Sequence, residues 1–69
     1  MRLSLSLVSN KKFGEFNGTV EKIISNGREF TTKQELKDLF NGDENREVTV
    51  ICEYCSFTFK VKNVLGWNF

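Results

Sequence analysis

Residues 47–62 read Glu47-Val48-Thr49-Val50-Ile51-Cys52-Glu53-Tyr54-Cys55-Ser56-Phe57-Thr58-Phe59-Lys60-Val61-Lys62, and polarity alternates through both halves of this stretch. A period of two is the pattern of a half-buried β-strand. With Glu47–Cys52 and Cys55–Lys62 as antiparallel strands and Glu53-Tyr54 as their loop, Cys52 faces Cys55, Val50 faces Phe57 and Val48 faces Phe59, all on one side. The other side pairs Ile51 with Ser56, Thr49 with Thr58 and Glu47 with Lys60. Apolar and opposite-charge pairs of this kind contribute about 0.2–1 kcal/mol each relative to Ala–Ala. A slip of one residue would turn Phe57 and Phe59 to solvent. Glu-Tyr is not a favoured type I′ pair, so the register rests on side chains rather than on turn chemistry, and a longer or bulged loop stays open.

Working outward, Leu3, Leu5 and Leu7 alternate with Ser4 and Ser6 and predict a strand over Arg2–Val8. Two Asn-Gly pairs, Asn17-Gly18 and Asn26-Gly27, are hairpin signals because both residues of a type I′ turn need positive φ. The second pair lies between predicted strands at Thr19–Ser25 and Arg28–Phe30. Phe13 and Phe16 flank Gly14-Glu15, which fits a short strand or a loop. Thr32-Lys33-Gln34-Glu35 is a capping box, with Thr31 and Gln34 repeating the pattern one residue earlier. Leu36, Leu39 and Phe40 follow at helical spacing, and Asn41-Gly42 offers a left-handed stop. These signals predict a helix over Lys33–Asn41, too short to be stable alone.

The expected architecture is α+β: one small antiparallel sheet of four to five strands, with one short helix packed on one face, forming a single domain over residues 1–69. Its core would draw on Leu3, Leu5, Leu7, Ile23, Phe30, Leu36, Leu39, Phe40, Val48, Val50, Phe57, Phe59 and Val61. Sixty-nine residues bury only about 60% of the surface that the unfolded chain exposes, which leaves little for an enclosed cleft. The apolar runs are too short to span a membrane, and serine at every second step of Leu3–Leu7 interrupts any signal-peptide-like stretch. A cytoplasmic protein is the expectation.

The formal net charge is +1. The balance is +3 over residues 1–33, −4 over 34–53 and +2 beyond. A nucleic-acid binder shows a strong basic excess, which is missing, so nucleic acid is not an expected partner. An acidic patch around Asp43, Glu44 and Glu47 would suit a basic protein surface. The chain contains no histidine, proline or alanine. Without histidine, the usual nucleophile-activating pair cannot be assembled. Asp43-Glu44 are adjacent loop acids with no cleft to tune them. No enzyme activity and no catalytic residues are expected. Alanine and proline have GC-rich codons, so their absence points to an AT-rich genome and fits a phage or mobile-element accessory protein; a small cellular protein fits too.

Cys52-Glu53-Tyr54-Cys55 is the one recognisable site motif. A CxxC at a hairpin tip resembles half of a zinc ribbon, although no second CxxC or histidine completes the set. Zinc would need Cys52 and Cys55 from two chains, a zinc-bridged homodimer with nucleic-acid contact as its further implication. Alternatively both thiols are small apolar groups ending a core face, and no cofactor is needed. Redox chemistry of the helix-borne kind is disfavoured because strands flank the motif, and a disulfide across the hairpin, though geometrically open, would not persist in a reducing compartment.

Val64-Leu65-Gly66-Trp67-Asn68-Phe69 is an apolar, aromatic segment. Either Trp67 and Phe69 fold back over the core, or they project as anchors for a partner. Taken together, these features predict a non-enzymatic protein-binding module that docks on a host protein or on a second copy of itself. Tyr54, Trp67, Phe69, Asp43 and Glu44 are the contact candidates, and strand addition at the Arg2–Val8 edge is one route.

Overall fold

The computed structural model describes residues 1–69. Residues 47–62 form the hairpin in the register set by their side chains: Glu47 opposite Lys60, Val48 opposite Phe59, Thr49 opposite Thr58, Val50 opposite Phe57 and Ile51 opposite Ser56. The Thr49 and Thr58 hydroxyls lie 2.9 Å apart on the outer face. Neither Glu53 nor Tyr54 has positive φ, so the loop closes without primed-turn geometry. Val48 and Val50 are fully buried and Phe59 nearly so; their burial sets the pairing.

Seven strands and one helix follow one another as β1 (Arg2–Ser9), β2 (Lys12–Thr19), β3 (Lys22–Ser25), β4 (Arg28–Phe30), α1 (Lys33–Phe40), β5 (Glu47–Ile51), β6 (Ser56–Lys60), a 3₁₀ turn (Val61–Asn63) and β7 (Val64–Asn68). They form two antiparallel sheets, ordered β2-β1-β7 and β4-β3-β5-β6. The α+β class holds, whereas the single sheet of four to five strands gives way to two sheets. The second sheet exists because the Phe13–Phe16 region extends into a full strand and residues 64–68 fold back as β7. Arg2–Val8, expected at an edge, is therefore the central strand of its sheet, paired on both sides.

The turns explain part of this difference. Asn26 and Gly27 have φ of 52° and 76° and join β3 to β4 as predicted. Asn17 and Gly18 make no turn; they lie within β2, opposite Ser4 and Leu3. The actual turn is Asn10-Lys11, with φ of 51° and 64°. Gly18 lies on the inner face opposite Leu3, where a Cβ would meet only the Phe16 ring, at an ordinary contact distance of 3.4 Å.

The helix begins as its sequence specifies. The Thr32 hydroxyl accepts from the Glu35 amide at 3.1 Å, and the Glu35 carboxylate accepts from the Thr32 amide at 3.2 Å, which satisfies two otherwise orphaned donors. Gly42 does not adopt the left-handed conformation predicted for it. Its amide donates to the Leu39 carbonyl at 3.3 Å, and a Cβ would approach the Asp38 carbonyl to 3.1 Å; close approach, not positive φ, favours glycine there.

One cluster of twelve buried side chains joins β1 (Leu3, Leu5), Val20, β3 (Ile23), β4 (Phe30), the helix (Leu36, Leu39, Phe40), β5 (Val48, Val50), β6 (Phe59) and Val61. Val20 is the member that periodicity misses, since it lies in the connection between β2 and β3. Leu7 and Phe57, expected within the core, are half-buried at its margin.

Candidate functional site

Trp67 and Phe69 fold back. Trp67 stands opposite Leu5 in the β1–β7 ladder, with its ring 5.4 Å from Phe40 and 4.8 Å from Phe69. Phe69 lies 6.0 Å from Phe40, and Phe40 6.2 Å from Phe59. The helix end is thereby tied to strands of both sheets, and Trp67 and Phe69 each remain only half-buried.

Asp43 and Glu44 are exposed in the loop after the helix. The Asp43 carboxylate accepts from the Asn45 amide at 2.9 Å, and its carbonyl accepts from the Arg46 amide at 3.1 Å. The Glu44 and Arg46 carbonyls accept from the Lys62 and Val61 amides at 2.8 and 3.0 Å. The loop backbone is anchored while both carboxylates face water. Tyr54, 92% exposed, sits at the other end of β5, and that five-residue strand alone spans about 13 Å. The structure thus divides the predicted contacts, with the acidic loop at one end of the β5–β6 hairpin and Tyr54 at the other.

Cys52 and Cys55 are both free thiols, Cys52 half-buried against the core and Cys55 exposed. The Cys52 amide donates to the Cys55 carbonyl at 2.8 Å. Desolvation pushes the Cys52 thiol up to about 11, with the neighbouring Cys55 and the Glu21 carboxylate adding to the shift. No group of three or more histidine, cysteine or acidic side chains gathers in a way that could hold a metal ion, so metal at this tip would require ligands from another chain.

The charged groups around β4 are engaged within the chain. The Arg28 and Arg46 guanidinium carbons lie 4.8 and 5.3 Å from the Phe30 ring centre. Arg46 Nε donates to Ser25 Oγ at 2.7 Å, and that hydroxyl donates to the Glu47 carbonyl at 2.7 Å. Arg28 pairs with Glu35 at 2.8 Å. The Thr32 amide and hydroxyl, the Thr31 amide and then Arg28 hold the Glu35 carboxyl below its ordinary value.

Sequence reasoning missed the β2 edge. Phe13 is 79% exposed at the start of β2, opposite half-buried Val8. Two adjoining depressions run beside it. One, of about 430 Å³, is lined by Leu7, Ser9, Asn10, Lys12, Phe13 and Gly14; the other, of about 190 Å³, by Leu7, Gly14, Glu15, Phe16 and Phe57. Both are open to solvent. The signal was obscured because Gly14 and Gly18 occupy inner positions where alternation would show apolar side chains.

Backbone geometry completes this surface. The two-residue Asn10-Lys11 turn makes Ser9–Lys12 the closing hydrogen-bonded pair, and such pairs alternate with non-bonded ones along an antiparallel ladder. Phe13, Glu15 and Asn17 then direct their N–H and C=O groups away from β1. The other edges are shorter or interrupted: β4 has three residues, β6 has five, and β7 shifts register at Ser6/Leu7. β2 is the long uninterrupted edge, with eight residues.

No protein family, curated protein or solved structure matches this chain. No helix is long and apolar enough to cross a membrane.

Proposed function

We propose that this protein is a non-enzymatic protein-binding module that docks on a partner by accepting an extended segment of it along β2. The open eight-residue edge, with exposed Phe13 at its start, is the observation that carries this reading. Unpaired strand edges are templates for strand addition, in which main-chain hydrogen bonds supply affinity and adjacent pockets read alternate side chains. The depressions at Leu7, Gly14, Phe16 and Phe57 would receive such side chains. The absence of alanine and proline, whose codons are GC-rich, supports a phage or mobile-element accessory protein, which would act on a host protein in the cytoplasm. Tyr54, Asp43 and Glu44 are accessible for secondary contacts, whereas Trp67 and Phe69 would contribute through their outer faces alone.

The test is affinity capture from host lysate with the wild type, Glu15→Pro, Phe13→Ser and Tyr54→Ser. Proline at 15 removes an outward N–H without touching the β1 ladder. A host protein retained by the wild type and Tyr54→Ser, and lost from both β2 variants, is the expected result. Equal recovery on all four would refute the β2 assignment.

A zinc-bridged homodimer in which each chain contributes Cys52 and Cys55, with nucleic-acid contact, is the second reading. The opposed thiols at an accessible hairpin tip favour it. Native mass spectrometry of the reduced protein with and without chelator decides it: two chains that hold zinc and separate on chelation support the bridge, and a metal-free single chain removes it.

A further inference from the structure

We propose that Cys52 and Cys55 form a reversible dithiol–disulfide pair, a modification site whose oxidant is a small-molecule disulfide such as oxidised glutathione. The two residues are opposed one step beyond Ile51 and Ser56 in the β5–β6 register, joined by the 2.8 Å hydrogen bond from the Cys52 amide to the Cys55 carbonyl. Opposed residues of an antiparallel pair hold their Cα atoms about 4.5–5.5 Å apart, within the range of about 4.4–6.8 Å that a disulfide spans. Their side chains leave the same face of the ladder. A bridge therefore requires side-chain rotation and no new backbone path.

Packing explains only one of the two thiols. Cys52 rests against the core as a small apolar group, whereas Cys55 stands in solvent. The exposed sulfur is the one an incoming disulfide reaches, and Cys52 is shielded against the core. Exchange runs through a thiolate and a mixed disulfide. The Cys55 thiolate attacks one sulfur of oxidised glutathione, forms the Cys55–glutathione disulfide and releases one glutathione thiolate, which takes up the Cys55 proton. Cys52 then loses its proton to water, attacks the Cys55 sulfur and expels the second glutathione, which is protonated in turn. The protein dithiol loses two electrons and two protons, and one glutathione disulfide becomes two thiols. The product locks the loop that carries Tyr54.

The test equilibrates the full chain with chelator in buffers of graded reduced-to-oxidised glutathione, followed by acid quench, alkylation and intact mass measurement. Cys52→Ser and Cys55→Ser are run alongside, with Cys52→Ala as substitute if serine at the half-buried position unfolds the chain. A single transition is expected, from a doubly alkylated chain to an unalkylated monomer lighter by two hydrogens. Cys52→Ser should stop as the glutathione adduct of Cys55, and in a time course quenched before equilibrium Cys55→Ser should react about tenfold more slowly, as a shielded thiol does. Oxidised material found only as linked dimers or doubly glutathionylated chains overturns the proposal. So does a Cys55→Ser chain that reacts as fast as Cys52→Ser.

Discussion

Phe16 of β2 and Phe57 of β6 meet across the two sheets with ring centroids 5.2 Å apart and planes inclined at 50°. Neither ring is fully buried, yet the pair joins the β1–β2 hairpin to the β5–β6 hairpin at the margin of the core. Tilted aromatic pairs add about 0.5–1.5 kcal/mol beyond their area burial. A double-mutant cycle with Phe16→Leu and Phe57→Leu, read by denaturant unfolding, should return a coupling in that range. Additive effects would show that the rings merely share an exposed surface.

The two tight turns should respond in opposite directions to substitution. Lys11 holds φ of 64° with a full side chain, and the left-handed region costs an L-residue about 1–2 kcal/mol. Lys11→Gly creates the favoured Asn-Gly turn and should raise the unfolding midpoint by up to about that amount of free energy. Gly27 has φ of 76°, so Gly27→Ala should lower stability by about 1–2 kcal/mol. Equal responses at the two positions would mean that one turn is misassigned.

Glu35 ties the helix start to pH. Its carboxyl is held below its ordinary value of 4.5, first by the Thr32 amide and hydroxyl and then by the Thr31 amide. A group with a depressed folded-state value stabilises the fold above its unfolded value and loses that contribution as pH falls through the folded one. Glu35→Gln keeps a capping-box side chain without the charge. It should be less stable than the wild type at neutral pH, and the two thermal-unfolding curves should converge under acid. A difference that stays constant from neutral pH into the acid range would show that the charge plays no part.

Ser25 is the buried polar residue of the core, 2% exposed, and its hydroxyl bridges Arg46 and the Glu47 carbonyl. Ser25→Ala leaves both partners short of a bond, and an unsatisfied buried group costs about 1–3 kcal/mol. Urea unfolding of Ser25→Ala checks this. An undiminished midpoint would mean that water replaces the hydroxyl without loss.

Where side-chain chemistry is local, the sequence was legible. Val48, Val50, Phe57 and Phe59 determined the β5–β6 register because any shift exposes aromatic surface, and Thr32 with Glu35 determined the helix start within four residues. Asn17-Gly18 misled because a turn signal describes what a dipeptide tolerates, and pairing with β1 placed this one inside a strand. The second sheet was illegible for a related reason: β2 has two glycines on its inner face, and β7 shows its strand character only against β1. Exposure divided in the same way. That of Tyr54 was legible from its place in a loop, whereas the position of β2 at a sheet edge depends on which strand lies outermost, a property of topology that no local pattern encodes.

β1 takes its two neighbours from very different distances along the chain. With β2 it closes through a two-residue turn, whereas Leu5 and Trp67 are sixty-two positions apart when they pair. The loop-closure entropy of that second pairing is large and is not repaid until non-local contacts form. The hairpins and the helix can assemble from neighbouring residues, and the β1–β7 seam is expected to close after them. Trp67 is the single tryptophan of the chain and lies on that seam, so its fluorescence is a built-in clock for the moment the two ends of the chain meet.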